Sequence, residues 1–208
     1  MLNASVPFKP GMGMNNAHVQ SILTSSPIRK AIVGKRSHLL RHAAREEIIE
    51  TPDGVRLQGF RSAHQGAHAT PRGLVVLLHG WEGSSDSNYL LSSASHLQAH
   101  GFEIFRLNFR DHGDTHHLNE DLFHSCRLRE VADAIHWLYQ DWQRKNSEQS
   151  PVFLAGFSLG GNFALRVALQ APELGTELSR VIAVCPPIKP ANVLTALEQG
   201  PSIYERYF

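Results

Sequence analysis

Hydrophobic and polar positions change rhythm several times along this 208-residue chain. Glu47-Ile48-Ile49-Glu50-Thr51 reads as a strand, and Pro52-Asp53-Gly54 as a turn in which proline sets φ and glycine permits a positive one. Val55-Arg56-Leu57-Gln58-Gly59-Phe60 alternates apolar and polar, which predicts the partner strand of a hairpin. After a polar loop over 63–72 the pattern changes. Leu74-Val75-Val76-Leu77-Leu78 is continuously apolar, as a strand buried on both faces must be. Residues 88–100 fit a helix closed by Gly101, and Phe102–Asn108 another strand. Leu128, Val131, Ala132, Ile135, Leu138 and Tyr139 recur at helical spacing, so 126–142 is predicted as an amphipathic helix. Val152–Phe157 is a strand, 161–170 a helix, and Arg180–Cys185 a strand stopped by Pro186-Pro187. Strands alternating with helices of this length predict an α/β fold, a mostly parallel sheet with right-handed crossovers.

The first 44 residues have no such rhythm. Pro7, Pro10, Gly11 and Gly13 punctuate them, and the stretch reads as irregular, with room for a short helix over Asn16–Leu23. Arg29, Lys30, Lys35, Arg36 and Arg41, with Arg45 just beyond, make residues 28–44 mildly basic, which predicts a solvated segment lying on the core. The expected division is therefore an extension over 1–44 and an α/β unit over 45–208.

Composition narrows the picture little. The chain is 42% hydrophobic and 19% charged, as globular proteins are. A net charge of +1 gives no electrostatic argument for nucleic acid or for an anionic membrane. No apolar run approaches the length of a membrane span, and Met1–Met14 lacks the layout of a signal peptide. Cys126 and Cys185 make no disulfide framework and have no metal-ligand spacing, so both are expected to be reduced and buried, in a cytoplasmic protein.

Chemistry concentrates at three strand ends. Gly156-Phe157-Ser158-Leu159-Gly160-Gly161 places a serine between glycines where a strand meets a helix, the layout of a nucleophile elbow. Ser158 would sit on a strained backbone with its hydroxyl out of the sheet, and side chains at Gly156 or Gly160 would clash across so tight a turn. His79-Gly80-Trp81-Glu82-Gly83 follows the apolar strand. A glycine-containing loop there can aim a backbone N–H at developing negative charge, so the N–H groups of Trp81 and Leu159 are the expected oxyanion donors. His79, at the strand end, is read as a structural hydrogen-bonding residue beneath the site. The third cluster runs from Arg106 through Asn108, Arg110, Asp111, His112, Gly113 and Asp114 to His116-His117. Its spacing does not match the His/Glu patterns of metal sites, and a polar loop in which Asp111 pairs with Arg106 or Arg110 is expected.

His79-Gly80, Asn108-x-Arg110-Asp111-x-Gly113 and the serine elbow occur in the order found in the α/β-hydrolase superfamily, which the chain resembles. Asn16-Ala17-His18-Val19-Gln20-Ser21-Ile22 is similar to the Asn-Pro-His-x-Gln-Thr-Ile segment of its YheT-like branch, and so is the ending Gly200–Phe208. The resemblance implies an α/β-hydrolase fold and a serine hydrolase of carboxylic esters, lipid-like esters included, with Ser158 as nucleophile and no cofactor. It also implies a general acid and a histidine base from strands beyond the sixth. No residue after Ser158 is a histidine. The base and acid are thus expected beyond residue 208, the fold to be incomplete, and the chain to be feeble or inactive alone. His112 or His116 standing in for the base is the alternative within the chain. A non-catalytic module that keeps the scaffold is the alternative to an enzyme.

Overall fold

Six strands form one sheet in the order β1-β2-β4-β3-β5-β6. The strands are β1 (Arg45–Glu50), β2 (Arg56–Ser62), β3 (Leu74–Leu78), β4 (Glu103–Leu107), β5 (Val152–Phe157) and β6 (Arg180–Val184). The computed structural model describes residues 9–16, 19–20, 23, 26–65, 70–147 and 149–199. Two parts of the N-terminal and C-terminal resemblance, much of Asn16–Ile22 and all of Gly200–Phe208, therefore lie outside the described residues, as does much of the helix expected over Asn16–Leu23.

The hairpin is present: β1 and β2 pair antiparallel, with Ile49 opposite Leu57. β2 runs antiparallel to β4, and β4, β3, β5 and β6 are mutually parallel. In β3 all five residues are buried, because helices cover both faces of the sheet there. On one face α4 (Leu128–Lys145) and α5 (Leu159–Gln170) pack. Val131, Ile135, Leu138 and Trp142 of α4 join Val76, Leu78, Phe105 and Leu154 in the larger core cluster. On the other face α3 (Asn88–Ala99) brings Leu90, Leu91 and Ala94 against Val75, Leu77 and Ile104.

The basic segment is not irregular. It forms α1 (Pro27–Arg36) and α2 (His38–His42), which pack on α3. Ser26 caps α1 by accepting from the Arg29 N–H at 3.3 Å, and Pro27 opens the helix where its missing N–H costs nothing. Val33 and Leu40 enter the smaller core cluster. A last helix, α6 (Pro190–Glu198), follows β6. No helix among the described residues is long and apolar enough to cross a membrane. Cys126 and Cys185 are free but exposed rather than buried, since each lies in a loop rather than inside an element.

Candidate active site

Backbone strain marks one end of the sheet. Four non-glycine residues among those described have positive φ: Glu82 at 53°, Asp111 at 61°, Ser158 at 51° and Cys185 at 49°. Each follows the C-terminal end of one of the four parallel strands, β3, β4, β5 and β6 respectively. Such conformations are costly for residues with a Cβ and gather where loops build a site; in open α/β sheets that is the carboxyl edge.

Ser158 is the sharpest case. It joins β5 directly to α5 with φ 51° and ψ −118°, and its side chain is exposed. Three contacts explain why the junction requires glycines. A Cβ on Gly156 would lie 2.1 Å from the Gly160 carbonyl oxygen. One on Gly160 would lie 2.3 Å from the His79 carbonyl oxygen. One on Gly80 would come within 3.3 Å of the Ser158 Cβ, so the loop after β3 rests against the serine. The Ser158 N–H donates to the Val184 carbonyl at 2.9 Å, which ties the turn to the end of β6. No described side chain hydrogen-bonds the Ser158 hydroxyl.

Two backbone N–H groups belong to the segments that meet at this serine. Leu159 is the first residue of α5, and its N–H belongs to the unsatisfied positive end of that helix. Trp81 follows Gly80 in the loop that abuts Ser158, with its ring half exposed. Neither N–H has a partner among the described residues. The loop itself is tied down: the Gly80 N–H donates to the Tyr89 hydroxyl at 2.9 Å, and the Gly83 N–H to the Gly80 carbonyl at 3.1 Å.

His79 lies beneath, fully buried. Its Nε2 accepts from the Phe109 N–H at 3.1 Å, which assigns the ring proton to Nδ1, 2.7 Å from the Gly80 carbonyl. Burial, and to a lesser degree the neighbouring His112, pushes its pKa down to about 3. A neutral imidazole with both nitrogens engaged welds the end of β3 to the end of β4 and is not free to take a proton from Ser158.

The loop after β4 is organised differently from its expectation. Asp111 pairs with His116, not with an arginine. Arg106 turns to Asp86 at 2.9 Å and Arg110 to the buried Glu130 of α4 at 2.7 Å, because each guanidinium finds a carboxylate better placed by the fold. Asn108 accepts from the Ser85 N–H and donates to Gln58, both at 2.6 Å. Tyr89 and Glu130 are supports that local spacing does not reveal, since each meets its partner only through the packing of a helix. Among the described residues no three His, Cys, Asp or Glu side chains are grouped to hold a metal.

The family model of the alpha/beta hydrolase fold matches residues 73–204, more than half of the chain. The chain belongs to this family. Within it, YheT of Escherichia coli strain K12, provisionally named an esterase, is 25% identical over 209 residues. That match covers 99% of this chain and 56% of YheT. A provisionally named alcohol acetyltransferase of Cyberlindnera fabianii is 29% identical over 138 residues, covering 66% of this chain and 34% of that protein. The chain thus spans about half of the one relative and a third of the other. Solved structures agree on the fold. The Pyrococcus furiosus esterase Pf2001 superposes with a TM-score of 0.60 at 21% identity, over 76% of this chain and 56% of that one. XC6422 from Xanthomonas campestris, a serine hydrolase without a lid, gives 0.56 at 20%, over 70% and 62%.

Proposed function

We propose that the protein is a serine hydrolase of carboxylic esters with Ser158 as its nucleophile. The observation that carries this is the strained serine itself, at φ 51° on the β5–α5 junction, with the Leu159 N–H on one side and the Gly80-Trp81 loop on the other. Attack by Ser158 Oγ on an ester carbonyl turns its oxygen into an oxyanion. The Trp81 and Leu159 N–H groups receive that charge, and such donors are worth about 3–4 kcal/mol apiece in comparable sites. Gly156 and Gly160 let the turn close, while His79 and Gly80 hold the oxyanion loop against it. The esterase name carried by YheT supports the ester class, and lipid-like esters fall within it.

Acyl transfer also needs a base to take the serine proton and return it to the leaving alcohol. None is assigned in this chain: His79 is held neutral with both nitrogens bonded, and no described group bonds the Ser158 hydroxyl. The 208-residue chain is therefore expected to turn over esters feebly, with only oxyanion stabilisation and binding at work, a residual of roughly 10³–10⁴ over water in serine hydrolases. Residues 1–44 act as an extension packed on the 45–208 unit, a reading supported by Val33 and Leu40 entering its core. Two free thiols support a cytoplasmic setting.

The test is reaction of the purified chain with a fluorophosphonate probe and a short-chain activated ester, beside Ser158→Ala. Slow labelling and turnover, both lost in the variant, are expected. Turnover unchanged in Ser158→Ala would overturn the assignment. A folded chain that neither labels nor turns over ester would favour a non-catalytic scaffold instead.

A further inference from the structure

The three helices α1, α2 and α3 cover one face of the sheet without a single Asp or Glu among them, and residues 1–44 contain none either. Elsewhere the described cations are largely matched to carboxylates: Arg61 meets Glu47, Glu103 and Asp141, Arg110 meets Glu130, and Arg129 meets Asp133. On α1 the arrangement is the opposite. Arg29, Lys30, Lys35 and Arg36 have no ion-pair partner among the described residues, and only Arg41 of α2 finds one, in Asp86. Lys35 and Arg36 occupy the last turn, where they complement the helix dipole, but Arg29 and Lys30 sit in the first turns, where the dipole opposes them.

Apolar side chains are set among these charges. Ile28 and Ile32 lie one turn apart on the same side of α1 and are 73% and 49% exposed. Beside them a groove of about 480 Å³ runs between α1 and α3, walled by both isoleucines, Arg29 and Arg36. Ser92, Ser95 and His96 line it from α3. The combination of unneutralised cations and protruding aliphatic side chains calls for a partner that is both anionic and apolar.

We propose that the α1–α3 face docks on an anionic phospholipid bilayer. Lys35 on one flank of Ile28 and Ile32, and Arg29 and Arg36 on the other, meet the headgroup phosphates, and the two isoleucines reach the acyl boundary between them, as on interfacial amphipathic helices. The overall charge of +1 does not oppose this, because the negative groups lie elsewhere and the Debye length at physiological salt is only about 8 Å. The inference does not depend on the hydrolase reading, and it concerns a surface remote in sequence from Ser158.

Co-sedimentation of the full chain with vesicles tests it. Binding is expected to vesicles of equal parts phosphatidylcholine and phosphatidylglycerol, to be lost at high salt, and to be absent with phosphatidylcholine alone. Each cation removed in the series R29Q, K35Q and R36Q is expected to weaken partitioning about fivefold, and K30Q, on the far side of the helix, to weaken it less. Ile28→Ser with Ile32→Ser is expected to weaken it further while circular dichroism stays unchanged. Equal binding to neutral and anionic vesicles would overturn the proposal, as would unaltered binding by the folded variant that combines R29Q, K35Q and R36Q. So would titration with inorganic phosphate alone that shows an ion site in a chain that ignores vesicles. If that combined variant does not fold, the lipid and salt dependence of the native sequence decides.

Discussion

β3 and β6 carry nearly the same kind of side chains, Leu-Val-Val-Leu-Leu and Arg-Val-Ile-Ala-Val, and share one parallel sheet. In β3 every residue is buried. In β6 none is: Ile182 is 56% exposed and Val184 38%. β3 has β4 and β5 beside it and helices on both faces, whereas β6 has β5 on one side and no described strand on the other. The contrast teaches that an apolar run specifies a strand, while its burial is set by what the rest of the fold brings to it. It also divides the sheet into a central part that carries stability and a margin that contributes little.

The largest effect should come from breaking the centre where backbones touch. Gly156→Val places a side chain 2.1 Å from the Gly160 carbonyl, and a loss of about 4 kcal/mol or more is expected, read as failure to show a cooperative urea transition. A direct contrast follows next. Leu78→Ala in β3 should cost about 3 kcal/mol, and Ile182→Ala in β6 less than about 1 kcal/mol, by urea unfolding. Equal costs would abolish the distinction between centre and margin.

His79 sharpens the comparison through pH. Its pKa is near 3 folded and near 6.5 unfolded, so between these values the unfolded chain binds the extra proton. Its contribution is complete above about pH 6.5 and is lost toward about pH 3, at roughly 1.4 kcal/mol per pH unit. The stability gap between the native sequence and His79→Gln should therefore narrow as pH falls from 7 to 4. A gap that widens would mean the ring is charged in the fold. The smallest effect on stability belongs to Ile182→Lys. It should leave the urea midpoint almost unchanged but reduce self-association in light scattering, because a charge on an apolar edge strand opposes edge-to-edge pairing.

The centre was legible in the sequence and the margins less so. Continuous apolar residues placed β3 and β5 with their observed bounds, since a doubly covered strand leaves no polar position to blur its ends. The strand–serine–helix junction was legible because glycine on either side of a serine is a local constraint. α1 was missed although Ser26-Pro27 is a start signal, because Val33 alone of its residues is buried and a single core position leaves no inward stripe to read. The partners of Arg106, Arg110 and Asp111 were misread for a different reason. The nearest charge in sequence was favoured, while the fold supplied Asp86 and Glu130 from 20 positions away. The burial expected of both cysteines failed in the same way, because loop residues are buried only where other elements happen to cover them.

The hydrogen bond from the Ser158 amide to the Val184 carbonyl links the most constrained turn in the molecule to its least protected strand. Whenever the end of β6 frays, that amide is released to solvent, so its deuterium uptake follows the opening of the sheet's margin rather than the global unfolding of the centre. A ligand or a neighbouring chain that pairs along β6 would slow that uptake without touching the serine. Through that one bond, β6, an edge of the described sheet, acts as a setting screw for the backbone of the turn.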